Sequence, residues 1–305
     1  MKALLLGANG AVGGHIRTAL LGAGYQVTAA GRRAPQNGLS IDVSGSDLGD
    51  LTAAAREHDV TINASGVENP NLGQAVGAGT LVDISASSKY LKQLRTAAPG
   101  TSMILGVGLA PGLSTMLVAS LDYIPGDDID VALMLGAGEK HGPAAVEWTQ
   151  RLIGAPIEDP PEAHRVMNFR EVSSFKDADQ IRRYLRADFP DHHLLGNDRG
   201  IQVRNYFALG SPAATHALAL VARIPMTRRL VSAVPPFGSE RWSLVVRNRR
   251  TGQTREASGN NQSRATGVLT ARAVQEMFAR GATGTVSMSD LLEIDDLDLP
   301  SLEIN

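Results

Sequence analysis

The chain has no cysteine in its 305 residues. That excludes disulfides, thiolate metal sites and a cysteine nucleophile, and it agrees with a reducing cytoplasm. No apolar run approaches the roughly 20 residues that span a bilayer, so no membrane association is expected. The formal net charge of -2 supplies no general field for nucleic acid, which is likewise not expected as a partner. The start MKALLL has the look of a signal peptide, but Gly7 and Asn9 break it well short of the ~7–15-residue apolar core such a segment needs. No tyrosine has a lysine four positions later, no H-x-x-x-H pair occurs, and no G-x-S-x-G elbow is present, which disfavours three common catalytic designs. His192 and His193, with Asp191 and Asp198 nearby, read as a solvent-facing loop, and no metal is expected.

What is present is concentrated at the beginning. Lys2 to Leu6 form a short apolar run that fits a buried parallel strand. Gly7, Gly10 and Gly13 follow at once, with Asn9, Ala11 and Val12 between them. This G-x-x-G-x-x-G turn is a variant of the dinucleotide fingerprint, whose glycines allow the tight turn, the approach of backbone to a pyrophosphate and close helix–strand packing. A helix from about Ala11 to Leu21 would aim its N-terminus at the phosphates, and a second strand, Gln26 to Ala30, completes a βαβ unit.

The end of that second strand bears on which dinucleotide is bound. An NAD enzyme usually places an acidic residue there, whereas NADP calls for arginine at the 2′-phosphate. No acidic residue precedes Asp42, and Arg32 and Arg33 occupy the decisive place, where a guanidinium matches phosphate geometry with paired donors. NADP is the expected cofactor; the alternative is two solvated arginines on a surface loop.

Further strands are expected at 40–43, 59–63, 80–84 and 102–106, with helices at 47–57 (capped by Ser46), 71–78 and 89–97. Asp42 would lie near the adenine or be a simple loop aspartate. Asn63-Ala64-Ser65-Gly66 makes a small-residue turn at a strand end suited to a cofactor, and Ser85 and Ser87 stand at the next strand end. Pro111 and Gly112 lead into a helix running to Leu121, with the proline near its first turn.

The runs GANGAVGG, DVTINASG, LVDISA and, above all, GVGLAPGLST resemble the saccharopine dehydrogenase-like reductases, over residues 1–121 and again over 264–293. The resemblance implies a G-x-x-P-G segment beside the nicotinamide, here Gly108 to Gly112, and a C-terminal helix packed back on the nucleotide domain. It also implies nicotinamide-dependent chemistry at carbon–nitrogen bonds of small, often amino-acid-derived substrates.

The middle of the chain reads differently. A strand at 129–135 ends in a glycine-bracketed loop, Glu139-Lys140-His141, followed by a helix to Ile153. Strands are expected at 165–175, 201–209, 241–247 and 254–258, the last two a hairpin turning at Thr251-Gly252, with helices at 178–187, 213–222 and 227–233. The expected architecture is therefore α/β: a Rossmann-type doubly wound parallel sheet over 1–123, a substrate domain built on a mostly antiparallel sheet over 124–263, and a C-terminal helix and tail over 264–305. A homodimer is compatible with this plan. Arg247, Arg249, Arg250 and Arg255 read as charges on a hairpin edge, and the acidic tail from Asp290 reads as solvated.

Among only five lysines, positions 2, 89, 92, 140 and 176, Lys140 could meet an anionic or carbonyl group, while His141 could exchange a proton near neutral pH. Glu139, Lys140 and His141 are the catalytic candidates, with Lys89 second and a chemically idle surface loop as the alternative. Together these readings point to an NADP(H)-dependent oxidoreductase that moves hydride to or from a small substrate, with a C=N bond as the leading target. A C=O or C=C reductase and a non-catalytic NADP(H) sensor are the alternatives.

Overall fold

The computed structural model describes residues 1–136, 138–139, 143–177, 180–224, 238–297 and 302–304, with backbone alone for 143–146, 197–198 and 302. The chain divides into two compact units: Met1–Leu113 with Ser263–Leu292, and Ser114–Gln262 with Glu293–Asn305.

The first unit runs β1 (Lys2–Leu6), α1 (Ala11–Gly22), β2 (Gln26–Gly31), β3 (Leu39–Ser40), α2 (Gly49–Ala55), β4 (Val60–Asn63), α3 (Leu72–Val76), β5 (Thr80–Asp83), α4 (Ser88–Ala97) and β6 (Ser102–Leu105). After the second unit it resumes with α9 (Gln262–Arg280), β13 (Thr285–Val286) and α10 (Met288–Leu291). Its seven strands lie in the order β13-β6-β5-β4-β1-β2-β3, and all pairings are parallel. Every residue of β4 and β5 is buried, as a parallel sheet covered on both faces requires. Burying each Leu, Ile or Val of these strands contributes roughly 1.5–3 kcal/mol. The sheet order reverses at β1 and β4, which places a crevice at the C-terminal ends of those strands.

The short third strand stops at Ser40, and α2 begins only at Gly49, with Leu48 rather than Ser46 at its N-cap. Gly267 lets α9 lie against α1: a Cβ there would stand 2.5 Å from the His15 Cβ.

The second unit contains α5 (Ser114–Ala119), β7 (Asp128–Leu135), α6 (Pro143–Leu152), β8 (Val172–Asp177), β9 (Gln180–Arg186), α7 (Asp191–Arg199), β10 (Gln202–Leu209), α8 (Pro212–Val221), β11 (Arg241–Asn248), β12 (Thr254–Asn260) and β14 (Leu302–Ile304). The strand order is β14-β12-β11-β7-β10-β9-β8. Only β7 and β10 run parallel; the other pairs are antiparallel. The sheet curls far enough that Asp177 on the edge strand β8 accepts a 2.9 Å hydrogen bond from Ser243 Oγ on β11. Ala132, Met134, Phe175, Tyr184, Tyr206, Ala208 and Val245 fill the concave side.

Several expectations are corrected in this unit. Residues 180–186, expected as part of a helix, form β9. Packing decides it: Tyr184 packs edge-on against Phe175 with ring centroids 5.4 Å apart, and its hydroxyl donates to Asp177 at 3.0 Å. His192 and His193 sit on α7 rather than a loop, with the His192 ring nitrogens 2.9 and 2.8 Å from the carbonyl oxygens of Phe189 and Glu158. Three of the hairpin arginines are ion-paired: Arg247 and Arg249 with the fully buried Asp130, and Arg250 with Asp127. The acidic tail contributes β14, which pairs with β12. The helix expected at 227–233 falls outside the described residues.

Candidate nucleotide-binding site

The crevice at the C-terminal end of β1 is built by the glycine turn. Gly7 has φ +79, and its N–H donates to Ala30 O at 2.9 Å. A Cβ on Gly7 would stand 2.4 Å from Ala64 O, so backbone from β4 passes where any side chain would be. Gly10 N–H closes the turn onto Gly7 O at 2.9 Å. Gly10 is the N-cap of α1 and offers no side-chain cap, so the first N–H groups of the helix lack an intrahelical partner and form an anion-binding end.

Around that end lies an open cleft of about 250 Å³, lined by Gly7, Asn9, Gly10, Ala30, Gly31, Arg32, Arg33, Pro35, Ala64 and Ser65. Both arginines are exposed, and among the described residues neither forms an ion pair. The glycine turn, the uncapped helix end and the two guanidiniums thus share one cleft. These features fit a dinucleotide: a backbone cradle that a Cβ would fill, helix N–H donors for a pyrophosphate, and cations at the ribose end.

Ala11, Val12 and Gly13 form the first turn of α1, and Gly66, with φ +75, ends the Ala64-Ser65 turn. Asp42 is exposed beyond β3 and does not line the cleft. Its carboxylate accepts the Ser44 hydroxyl at 2.7 Å and the Ser44 N–H at 2.9 Å. Those bonds, with the charge of Arg32, hold it below the usual carboxylate range. Ser85 N–H donates to Asp83 at 2.8 Å, and Ser87 is the N-cap of α4. Lys89 is exposed on α4.

Pro111 and Gly112 do not begin a helix. Ala110, Pro111 and Gly112 have non-helical dihedrals, and α5 starts only at Ser114 and stops at Ala119. The bend is closed by Leu113 N–H donating to Gly108 O at 2.8 Å. Glu139 is buried just beyond β7, at 7% exposure. Lys140 and His141 lie outside the described residues.

The sequence marks Asn63 as the start of a turn but not its partnership with Asp83 and Tyr90. Asn63 and Asp83 are paired in register at the last positions of β4 and β5, and both are buried, at 1% and 0% exposure. Asn63 Nδ2 donates to Asp83 Oδ2 at 2.8 Å, and the Tyr90 hydroxyl donates to the same oxygen at 2.8 Å. Burial pushes the Asp83 carboxyl above its usual range, against the opposing hydrogen bonds of Asn63, Ser85 and Tyr90. Burial and the nearby Asp83 also push the Tyr90 phenol upward. The available signal was a polar residue closing each of two otherwise apolar or β-branched strands.

No protein-family model matches the chain, and no curated protein matches it by sequence. Among solved structures, the chain is similar to apo histidine-tagged saccharopine dehydrogenase (L-Glu forming) from Saccharomyces cerevisiae, with 12% identity, 94% of each chain covered and a TM-score of 0.53. A probable aspartate-semialdehyde dehydrogenase from Pseudomonas aeruginosa matches at 13% identity, over 81% of this chain and 74% of that one, with a TM-score of 0.34. The first likeness shows the fold alone: a Rossmann-type α/β unit with a second α+β unit. The particular fold shared is that of saccharopine dehydrogenase.

Proposed function

We propose that the protein is an NADP(H)-dependent oxidoreductase acting on a small substrate, with a carbon–nitrogen double bond, or the C–N bond formed from it, as the reacting group. The observation that carries the reading is the meeting of Arg32 and Arg33 with the glycine turn in one cleft that no acidic residue lines. A guanidinium pair there favours the 2′-phosphate, whereas the hydroxyl of NAD offers it no charge. The fold shared with saccharopine dehydrogenase supports the choice of a C–N bond. The nicotinamide, when bound, supplies the hydride chemistry. This chain's own residues hold and orient it: α1 and the Gly7 turn take the phosphates, Arg32 and Arg33 the 2′-phosphate, and the Ala64-Ser65 backbone lies along the nucleotide. In this reading Pro111 and Gly112 border the nicotinamide, and Glu139, Lys140 and His141 serve the substrate. Titration of NADPH and NADH, followed by a turnover screen with keto acids and amines, tests it. Failure to bind either dinucleotide would end the proposal, and turnover of carbonyl substrates without amine would move it to C=O reduction.

A further inference from the structure

Behind the Ala64-Ser65 wall of the cleft runs a chain of hydrogen bonds whose direction is fixed throughout. It begins at Asp83, whose two oxygens face N–H groups that can only donate, the Asn63 amide on one and the Ser85 backbone on the other. It receives Tyr90 Oη and Asn63 Nδ2 on Oδ2, both at 2.8 Å, and Ser85 N–H on Oδ1 at 2.8 Å. Drawing the Asn63 amide nitrogen toward the carboxylate turns its carbonyl oxygen the other way. That oxygen accepts Ser65 Oγ at 2.6 Å and Ser65 N–H at 3.2 Å. Ser65 Oγ, having donated its proton, accepts Val67 N–H at 3.1 Å, while Asn63 Nδ2 also donates to Val67 O at 3.1 Å.

Two consequences follow. Ser65 lines the cleft, but its one hydroxyl proton is committed inward, so what it offers a ligand is backbone and a shaped turn rather than a donor. The turn that presents Ala64 and Ser65 is in turn oriented, through Asn63, by the fully buried Asp83 carboxyl. We propose that Asp83 is a positioning residue of the nucleotide cleft, acting through the Asn63 amide to fix the Ala64-Ser65 turn in its ligand-binding conformation. The proposal rests on the nucleotide reading above for its ligand, but not for its geometry.

The polarity makes it testable by exchange of partners. In Asp83→Asn one acceptor oxygen must serve where there were two. Turned to Asn63 and Tyr90, it leaves the amide nitrogen against Ser85 N–H; turned to Ser85, it leaves the nitrogen against Asn63, which can then satisfy itself only by flipping its own amide against Ser65 N–H. Asp83→Asn should weaken NADPH about tenfold or more, the worth of one or two misdirected buried hydrogen bonds. It should also speed hydrogen exchange at the Ser65 and Val67 amides of the nucleotide-free protein. The double variant Asn63→Asp/Asp83→Asn restores a donor–acceptor pair in the opposite sense, while the new carboxylate at position 63 loses the bond to Val67 O, and should recover part of the affinity and of the Ser65 protection. A merely space-filling role for Asp83 would give no such recovery. Tyr90→Phe, which keeps the ring packed, should weaken NADPH only about fivefold and serves as the deciding variant if Asp83→Asn does not fold. Wild-type exchange at Ser65 and Val67 in Asp83→Asn, an unchanged NADPH dissociation constant, or no recovery in the exchanged pair would each overturn the proposal. In a protein that binds no dinucleotide, the exchange rates at Ser65 and Val67 decide by themselves, so loss of the functional reading is distinguished from loss of this one.

Discussion

A Cβ placed on Gly13 would stand 2.1 Å from the carbonyl oxygen of Gly7 and 2.9 Å from its carbonyl carbon. The helix and the turn that precedes it are therefore in backbone contact, and the position admits glycine alone. Gly13→Ala is expected to lower stability by about 1–3 kcal/mol, as overpacking of a rigid site does, and to abolish measurable dinucleotide binding because relief requires α1 to move away from the phosphates. Thermal unfolding together with an NADPH titration checks both parts; a variant with wild-type affinity would place the phosphates elsewhere.

Removing the two cations should separate the dinucleotides. Each hydrogen bond to a charged group contributes roughly 1.5–3 kcal/mol, so Arg32→Ala with Arg33→Ala is expected to weaken NADPH at least about tenfold. NADH, which lacks the phosphate, should stay within a few-fold. Parallel titrations decide the matter, and equal losses for both would show that the arginines do not read the 2′-phosphate.

Much of the first unit was legible because the parallel strands are short apolar runs punctuated by glycine and serine turns, and the local pattern coincides with the global one. The cleft followed for the same reason: Gly7, Gly10, Arg32, Ala64 and Ser65 belong to local turns. Asp83 was not legible, because its importance depends on register pairing with Asn63 across two strands. β9 failed for a related reason. Arg182, Arg183 and Arg186 suit either a helix or a strand, and only the packing of Tyr184 on Phe175 selects the strand. The arginines after β11 looked like solvated charge because their partners Asp127 and Asp130 lie more than a hundred residues earlier.

Glu162 supplies a pH-dependent contact in the second unit. It pairs with Arg186 at 3.3 Å and Arg204 at 2.9 Å, with Arg186 only 2% exposed. Burial would raise its carboxyl, but the two guanidiniums outweigh that and hold it below the usual range. Because the folded-state pKa is depressed, the stabilisation is present above the unfolded value near 4.3 and is lost as pH falls through the folded one. Glu162→Gln should cost about 2 kcal/mol at pH 7, less than a fully enclosed pair because solvent screens part of it. The deficit should shrink steadily below about pH 4. Denaturant unfolding of both proteins across that range tests the sign, and a constant deficit would refute it.

Gly112 has φ +130, and a Cβ on it would stand 2.9 Å from the Met288 sulfur and 3.4 Å from the Val107 carbonyl carbon. A β-branched side chain is strained there whatever ligand is bound. Gly112→Val is expected to lose about 1–3 kcal/mol of stability along with nucleotide affinity. A melting temperature equal to that of the wild type would contradict the strained conformation.

The loop after β7 can be interrogated kinetically once turnover is found. Lys140→Met should raise KM more than it lowers kcat, the pattern of uniform binding loss. His141→Ala should instead lower kcat by roughly 10²–10⁴, the usual worth of a positioned acid or base. Both should keep the NADPH affinity of the parent. Wild-type kinetics in both variants would remove the loop from the reaction.

The first unit is written in two pieces, Met1–Leu113 and Ser263–Leu292, with the second unit spliced between them. During synthesis the glycine turn, β1 to β6 and the arginine pair leave the ribosome about 150 residues ahead of α9, a delay of roughly 8–30 s at ordinary elongation rates. Until then β6 lacks its neighbour β13 and α1 lacks the helix that seats on it through Gly267. Chains truncated within the insert would therefore carry every phosphate-binding residue and still display a bare sheet edge and an uncovered helix, the surfaces by which quality-control machinery recognises unfinished chains.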